Sequence, residues 1–138
     1  MNLVRKFVTA AAGITALGSA VVGLGVSPAS ASPGGCVWGT DNCIYYHSNF
    51  TGGFNGDGGN DNYGNPGWYF AGCAGGNCDG DGQSIKNNAG SMYNMSGSWV
   101  RVFYNSNQSG PYIDIAPYTQ ESLVGTVVYN QNASQLFW

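Results

Sequence analysis

The sequence predicts an all-β domain assembled from one small unit used twice. The first observation is a repeat: Ile44–Phe54 reads IYYHSNFTGGF, and fifty-eight residues later Val102–Tyr112 reads VFYNSNQSGPY. Tyr46, Ser48, Asn49 and Gly52 recur as Tyr104, Ser106, Asn107 and Gly110, while Ile44/Val102, Tyr45/Phe103, Thr51/Ser109 and Phe54/Tyr112 keep their chemical type. A repeat this local in 138 residues implies one supersecondary unit built twice and packed against itself. The second observation is that no segment after residue 31 sustains a helical period. The third is a rhythm of short runs rich in Tyr, Val, Ile, Phe and Trp, parted by Gly, Asn and Asp clusters that make turns.

The chain opens on an address label. Arg5 and Lys6 precede an apolar run over residues 7–26, and Ala29-Ser30-Ala31 supplies the small-x-small pattern a signal peptidase accepts. Residues 1–31 therefore read as a signal peptide, with the mature protein secreted and starting at Ser32; Gly13, Gly18, Gly23, Gly25 and Pro28 argue against a retained membrane anchor. Removal of this segment leaves Lys86 and Arg101 against six Asp and one Glu, a net −5. Such a surface cannot neutralise phosphates, which excludes nucleic acid as a partner, and an anionic membrane would repel it. The remaining residues, 32–138, suit one domain whose halves share a core.

Cys36, Cys43, Cys73 and Cys78 lie in a chain bound for an oxidising compartment, so disulfides are expected. Of the three pairings, short separations favour Cys36–Cys43 and Cys73–Cys78, because closing a short loop costs little entropy and each half is then stapled within itself. Each bridge contributes on the order of 2–4 kcal/mol. A four-thiolate zinc site is the rival, and neither spacing is the two-residue knuckle such sites use. Strands are expected at Cys43–His47, Trp68–Ala71, Trp99–Tyr104, Tyr112–Ile115, Leu123–Asn130 and Gln135–Trp138. Val100, Val102 and Tyr104 alternate with Arg101, Phe103 and Asn105, as Val127 and Tyr129 do with Val128 and Asn130, which fits strands with one inward face. Phe54–Asn65, polar and glycine-rich, reads as an exposed loop within the domain. Aliphatic residues are few, so most of the four Trp and nine Tyr are expected in the core rather than on a carbohydrate-binding face.

Tyr46-x-x-x-Phe50-x-Gly52 resembles the signature of the βγ-crystallin Greek key, in which aromatics form a corner over a hairpin and the glycine takes a backbone conformation other residues resist. In the second copy Tyr104 and Gly110 are kept and Gln108 replaces the second aromatic. Each family motif ends on a serine-containing strand entry, matched here by Ser84 and Ser134. These stand 38 and 30 residues after Tyr46 and Tyr104, so the Cys73–Cys78 loop reads as an eight-residue insertion on a duplicated frame. The resemblance implies two Greek-key motifs packed as one disulfide-stapled domain, one over about 36–92 and the other over about 98–138.

The signal segment, the Cys-x6-Cys-Ile-Tyr pattern, the Asn-Phe-Thr-Gly turn and the Ser-Ile-x-Asn segment together resemble peptidase inhibitor family I36, whose members are similar to a bacterial metalloproteinase inhibitor. That resemblance implies an extracellular, monomeric inhibitor with a secreted protease as partner and no required cofactor. An exposed, disulfide-closed loop would enter the protease cleft, and Ala74, Gly75, Gly76 and Asn77 match it in size. In the family the corresponding loop follows the first serine-containing entry, whereas this one precedes Ser84. Trp68, Tyr69 and Phe70, just upstream, read either as an anchor for the protease or as buried strand residues.

The same frame suggests calcium. Calcium-binding relatives carry an acid/amide pair shortly before Ser/Thr-Ser, and the matching segments here are Asp79–Ser84 and Asn130–Gln135. Asp79, Asp81 and Ser84, or Asn130 and Ser134, are the candidate oxygen ligands, but Gly80 and Gln83 occupy two ligand places and the second segment has no carboxylate. A calcium-stabilised envelope or stress protein and a killer-toxin-like antimicrobial protein are the alternative readings of the frame. Catalysis has little support. His47 is the single histidine, its repeat partner is Asn105, and no G-x-S-x-G or HExxH motif occurs. Asp114 and Glu121 are the carboxylates available for a glycosidase pair.

Overall fold

The computed structural model describes residues 35–138, and the signal-peptide reading falls outside the described residues. Eight strands form two antiparallel sheets. β1 (Asn42–Tyr45), β2 (Gly52–Asp57), β3 (Ala71–Ala74), β4 (Ser91–Asn94) and β7 (Thr119–Ser122) make the first, in the order β3-β2-β1-β4-β7. β5 (Val100–Asn105), β6 (Ser109–Ile115) and β8 (Ser134–Phe137) make the second, in the order β6-β5-β8. The two repeat copies are the hairpins β1–β2 and β5–β6, with Tyr45 opposite Phe54 and Phe103 opposite Tyr112.

The halves exchange strands. β7, from the second half, pairs with β4 of the first, Tyr93 opposite Gln120. In return, residues 61–63 of the first half lie along β8: Gln135 N–H donates to Asp61 O at 2.9 Å and Tyr63 N–H to Ala133 O at 2.9 Å. The stretch expected to be an exposed loop, Phe54–Asn65, is therefore corrected. Its start belongs to β2 and its end is the strand lent to the other sheet, with Tyr63 wholly buried. The glycines and asparagines hid this, because the crossing needs tight backbone approach more than apolar side chains. A Cβ on Gly56, for instance, would stand 2.6 Å from Gly35 O.

The core lies between the sheets. Ile44, Met92, Val100, Val102 and Ile115 point inward from the strands, joined by Tyr63, Trp68, Phe70, Ile85, Leu123 and Val128 from the connections. Each fully buried aliphatic side chain stabilises by about 1.5–3 kcal/mol. The expectation that the aromatics fill this space is corrected: Trp38, Trp99 and Trp138 are exposed, as are Tyr69, Tyr104, Tyr112, Tyr118 and Tyr129. The inward places of the pleat took the aliphatic residues, and the alternation put many rings on the outer faces. The expected strand over Leu123–Asn130 is also absent. Gly125 at φ 80° and the bonds Thr126 N–H to Leu123 O and Gln131 N–H to Val128 O curl it into successive turns that bury Leu123 and Val128.

A polar cluster spans the two sheets inside this core. Gln135 of β8 accepts from Tyr63 Oη–H at 2.6 Å and from Asn42 Nδ2–H of β1 at 3.0 Å, and its own amide donates to Asp57 Oδ2 and Gly59 O, both at 2.9 Å. Burial, and after it the neighbouring Asp61 carboxylate, pushes the Asp57 carboxyl up to about 6.

Candidate functional site

Each β hairpin closes on a corner of the same construction. Gly52 and Gly110 take φ 87° and 82°, and Phe50 and Gln108 are themselves left-handed at 61° and 50°. A serine hydroxyl from the last strand of the motif holds each corner. Ser134 Oγ donates to Asn105 O at 2.7 Å and accepts from Gln108 N–H at 3.0 Å. Its counterpart is Ser91, which donates to His47 O at 2.6 Å and accepts from Phe50 N–H at 3.1 Å. The assignment of Ser84 to this role is thereby corrected. Ser91 follows Tyr46 by 45 residues and Ser134 follows Tyr104 by 30, so the first half carries an insertion of fifteen, nearly twice the expected size.

The insertion is a hairpin arm. Phe70 N–H donates to Gln83 O at 2.9 Å, Gly82 N–H to Phe70 O at 2.8 Å and Ile85 N–H to Trp68 O at 3.1 Å, pairing residues 68–70 with 82–85. Trp68, Phe70 and Ile85 root the arm in the core, while Tyr69 between them points to solvent. Trp68 and Phe70 are thus buried just ahead of β3, and Tyr69 alone of the three is exposed. Further out, β3 runs along β2 with Ala71 opposite Phe54 and Ala74 opposite Gly52.

At the tip, Ala74–Asn77 make a tight turn. Gly75 and Gly76 have φ 63° and 75°, and Asn77 N–H donates to Ala74 O at 3.2 Å, the pattern of a type I′ turn. The Cys73–Cys78 bridge closes it with the Cα atoms 4.2 Å apart, and the Cys36–Cys43 bridge forms as well. Gly72, Cys73, Gly75, Gly76, Cys78 and Asp79 are all exposed. Behind the tip, Asp79 O accepts from Gly53 N–H at 2.7 Å and Asp79 Oδ2 lies 3.1 Å from His47 Nε2, so the arm is tied to the first corner by backbone and side chain. His47 is a half-buried tether whose side-chain partner is Asp79, not a nucleophile.

The suggested calcium ligands lie apart in the fold. Asp79 is engaged with His47 beside the first corner, whereas Ser134 is buried under the second with both hydroxyl bonds spent there. Asn130 is left-handed at φ 50° and donates its N–H to Ala89 O. Once Ser91 replaces Ser84, the segment preceding it is Asn87-Asn88-Ala89-Gly90, which keeps an amide pair without a carboxylate, and Asp79 and Asp81 fall within the inserted arm. Among the described residues no three His, Cys, Asp or Glu side chains are gathered to hold a metal ion. The glycosidase pair is likewise separate: Asp114 of β6 is gripped by Arg101 at 2.7 and 2.8 Å, and Glu121 is on β7 in the other sheet.

Two sheets exchanging strands, with a serine-held corner over each hairpin, define a βγ-crystallin-type domain. A solved structure described as "Evolution of the eye lens beta-gamma-crystallin domain fold" superposes with a TM-score of 0.59 at 14% identity, over 78% of this chain and 93% of that one. Residues 29–114 match the family model of peptidase inhibitor family I36, and the chain belongs to that family, one of inhibitors and not of enzymes. No curated protein matches it.

Proposed function

We propose that the protein is secreted and, as a monomer, blocks the cleft of an extracellular metalloprotease with the tip of the 68–85 arm. Family membership supplies the activity class. The observation that carries the choice of surface is the disulfide-closed turn Ala74–Asn77, exposed and rooted through Trp68, Phe70 and Ile85. A turn already fixed by a cross-link and two left-handed glycines has little freedom left to lose on docking, which is where a preorganised binder gains affinity. The glycines offer backbone and almost no side chain, so Ala74, Asn77 and the outward Tyr69 are the groups that would contact the protease.

Titration of the protein against a panel of secreted metallo- and serine proteases tests this. We expect inhibition at micromolar concentration or below, strongest for a metalloprotease. Replacing Ala74–Asn77 by an unrelated turn, or Cys73 and Cys78 by serine, should weaken binding by about tenfold or more without loss of the β-sheet circular dichroism signal. Full inhibition by both variants would move the contact surface elsewhere on the domain.

A further inference from the structure

Away from the second corner, where Phe103 and Ser134 are buried, the outer face of the three-stranded sheet takes no part in the core or the arm. Val100, Val102 and Ile115 point inward, so the alternate positions Arg101, Tyr112 and Asp114 point out, with Arg101 opposite Asp114 in the register. Trp99 and Trp138 exchange both backbone hydrogen bonds at 3.1 Å, and their rings stack at 5.9 Å with planes 23° apart. They are 41% and 60% exposed, and Tyr112 is 47% exposed. The Arg101 guanidinium lies between them, 3.8 Å from the Tyr112 ring centroid and 5.7 Å from that of Trp138.

Three properties of this row select its ligand. Trp99 and Trp138 cover one another on one side and Arg101 covers one side of Tyr112, but all three rings keep exposed surface, and aromatic surface attracts polarised C–H groups as it attracts cations. It is locally neutral, because Arg101 and Asp114 cancel through a two-bond fork, so a charged polymer gains nothing from it. The fork also fixes two planar polar groups that keep further donors and acceptors, since a guanidinium has five N–H groups and a carboxylate about four acceptor positions. A pyranose ring has the matching surface: C–H groups on one face and, around its edge, hydroxyls that both give and accept. Among the described residues the exposed large apolar side chains are Trp and Tyr except for Val37, Val124 and Val127, and on this face only the half-buried Leu136, opposite Arg101, is aliphatic, so a dry protein contact has little to pack against.

We propose that this face is a second binding site, independent of the protease contact, for a neutral β-linked polysaccharide. The flat ribbon of such a chain lies along the sheet with its sugar rings on Trp99 and Trp138, while Arg101 and Asp114 hold its hydroxyls. A wall polymer bound here would keep the inhibitor near the cell surface with the arm, on the other sheet, still exposed.

The test is co-sedimentation of the purified protein with insoluble cellulose and chitin, paired with tryptophan fluorescence titrations using cellohexaose and chitohexaose. The protein is expected to partition onto at least one polymer and to show a saturable fluorescence change with its oligosaccharide. Trp99→Ala with Trp138→Ala should weaken both by roughly tenfold, the scale of losing ring-stacking contacts, while protease titration and melting temperature hold. If the double variant is unstable, Trp138→Ala and Arg101→Lys, which keeps the charge but loses the fork, should each weaken binding severalfold. Trp38→Ala, in the turn before β1 and packed on Tyr93 and Tyr118, should bind normally. Failure to partition onto either polymer, or retention that survives the substitutions, overturns the proposal. So does a dimer that disappears in the double variant, because the face would then be a contact between two copies.

Discussion

Asp57 is a carboxylate held where ionisation is resisted. Its ordinary value of 3.8 is raised to about 6 by burial and by Asp61, so between those limits the folded chain binds more protons than the unfolded one. The resulting stabilisation is complete below the lower value and is lost as pH rises through the upper one, on the order of 2–3 kcal/mol in all. Asp57→Asn keeps an oxygen to accept from Gln135 Nε2 and removes the charge. It should raise the melting temperature near neutral pH and flatten the profile between about 4 and 6. Melts followed by circular dichroism across that range check this; a variant with the wild-type slope would mean that another group governs it. Nothing local in FNGDGGNDNYGN marks Asp57 as buried, because its amide partner Gln135 is 78 residues away.

Among the elements, the two corners were the most legible, since Tyr46, Gly52, Tyr104 and Gly110 lie in short contiguous strings. A Cβ on Gly52 would stand 2.9 Å from Asp79 O, and one on Gly110 would collide with the Asn105 side chain, in addition to the cost of a left-handed backbone. Gly52→Val and Gly110→Val should each destabilise by more than about 1 kcal/mol. The suitable control is Gly64→Ala, whose Cβ meets only the flexible end of Lys86, and it should be nearly neutral in the same denaturant titration. Gly58 is unsuitable, since its Cβ would come 2.9 Å from Thr40 O. What was illegible was the serine that closes the first corner. Ser84 and Ser91 both follow turn-forming residues, and the choice between them depends on a contact back to Phe50 across 41 residues. The inserted arm was seen only as a disulfide loop because Trp68, Phe70 and Ile85 carry the marks of an ordinary strand pair.

For the whole molecule the exchange of strands outweighs the repeat. The repeat and the short disulfides suggest halves that are each complete, yet β7 finishes the first sheet and residues 61–63 extend the second. The core draws Ile44 and Met92 from one half and Val100, Val102 and Ile115 from the other. A fragment spanning residues 32–98 should therefore lack dispersed amide resonances and a cooperative melt, whereas an equimolar mixture with 99–138 should recover both at high concentration. A cooperative melt of either fragment alone would show that the halves are separable.

That interleaving bears on how an inhibitor survives the enzymes it meets. A protease cuts a folded domain chiefly through states in which a segment has opened, and when opening is fast the rate follows the free energy of that opening. Residues 61–63 cannot peel from β8, nor β7 from β4, without stripping a sheet in the opposite half, so partial excursions that free a dozen residues of this frame are costly. Cleavage within the sheets is then limited by global unfolding, and the turns that can be offered cheaply are those outside the exchange, foremost the tip of the arm, where a disulfide would still hold the two ends together after a cut.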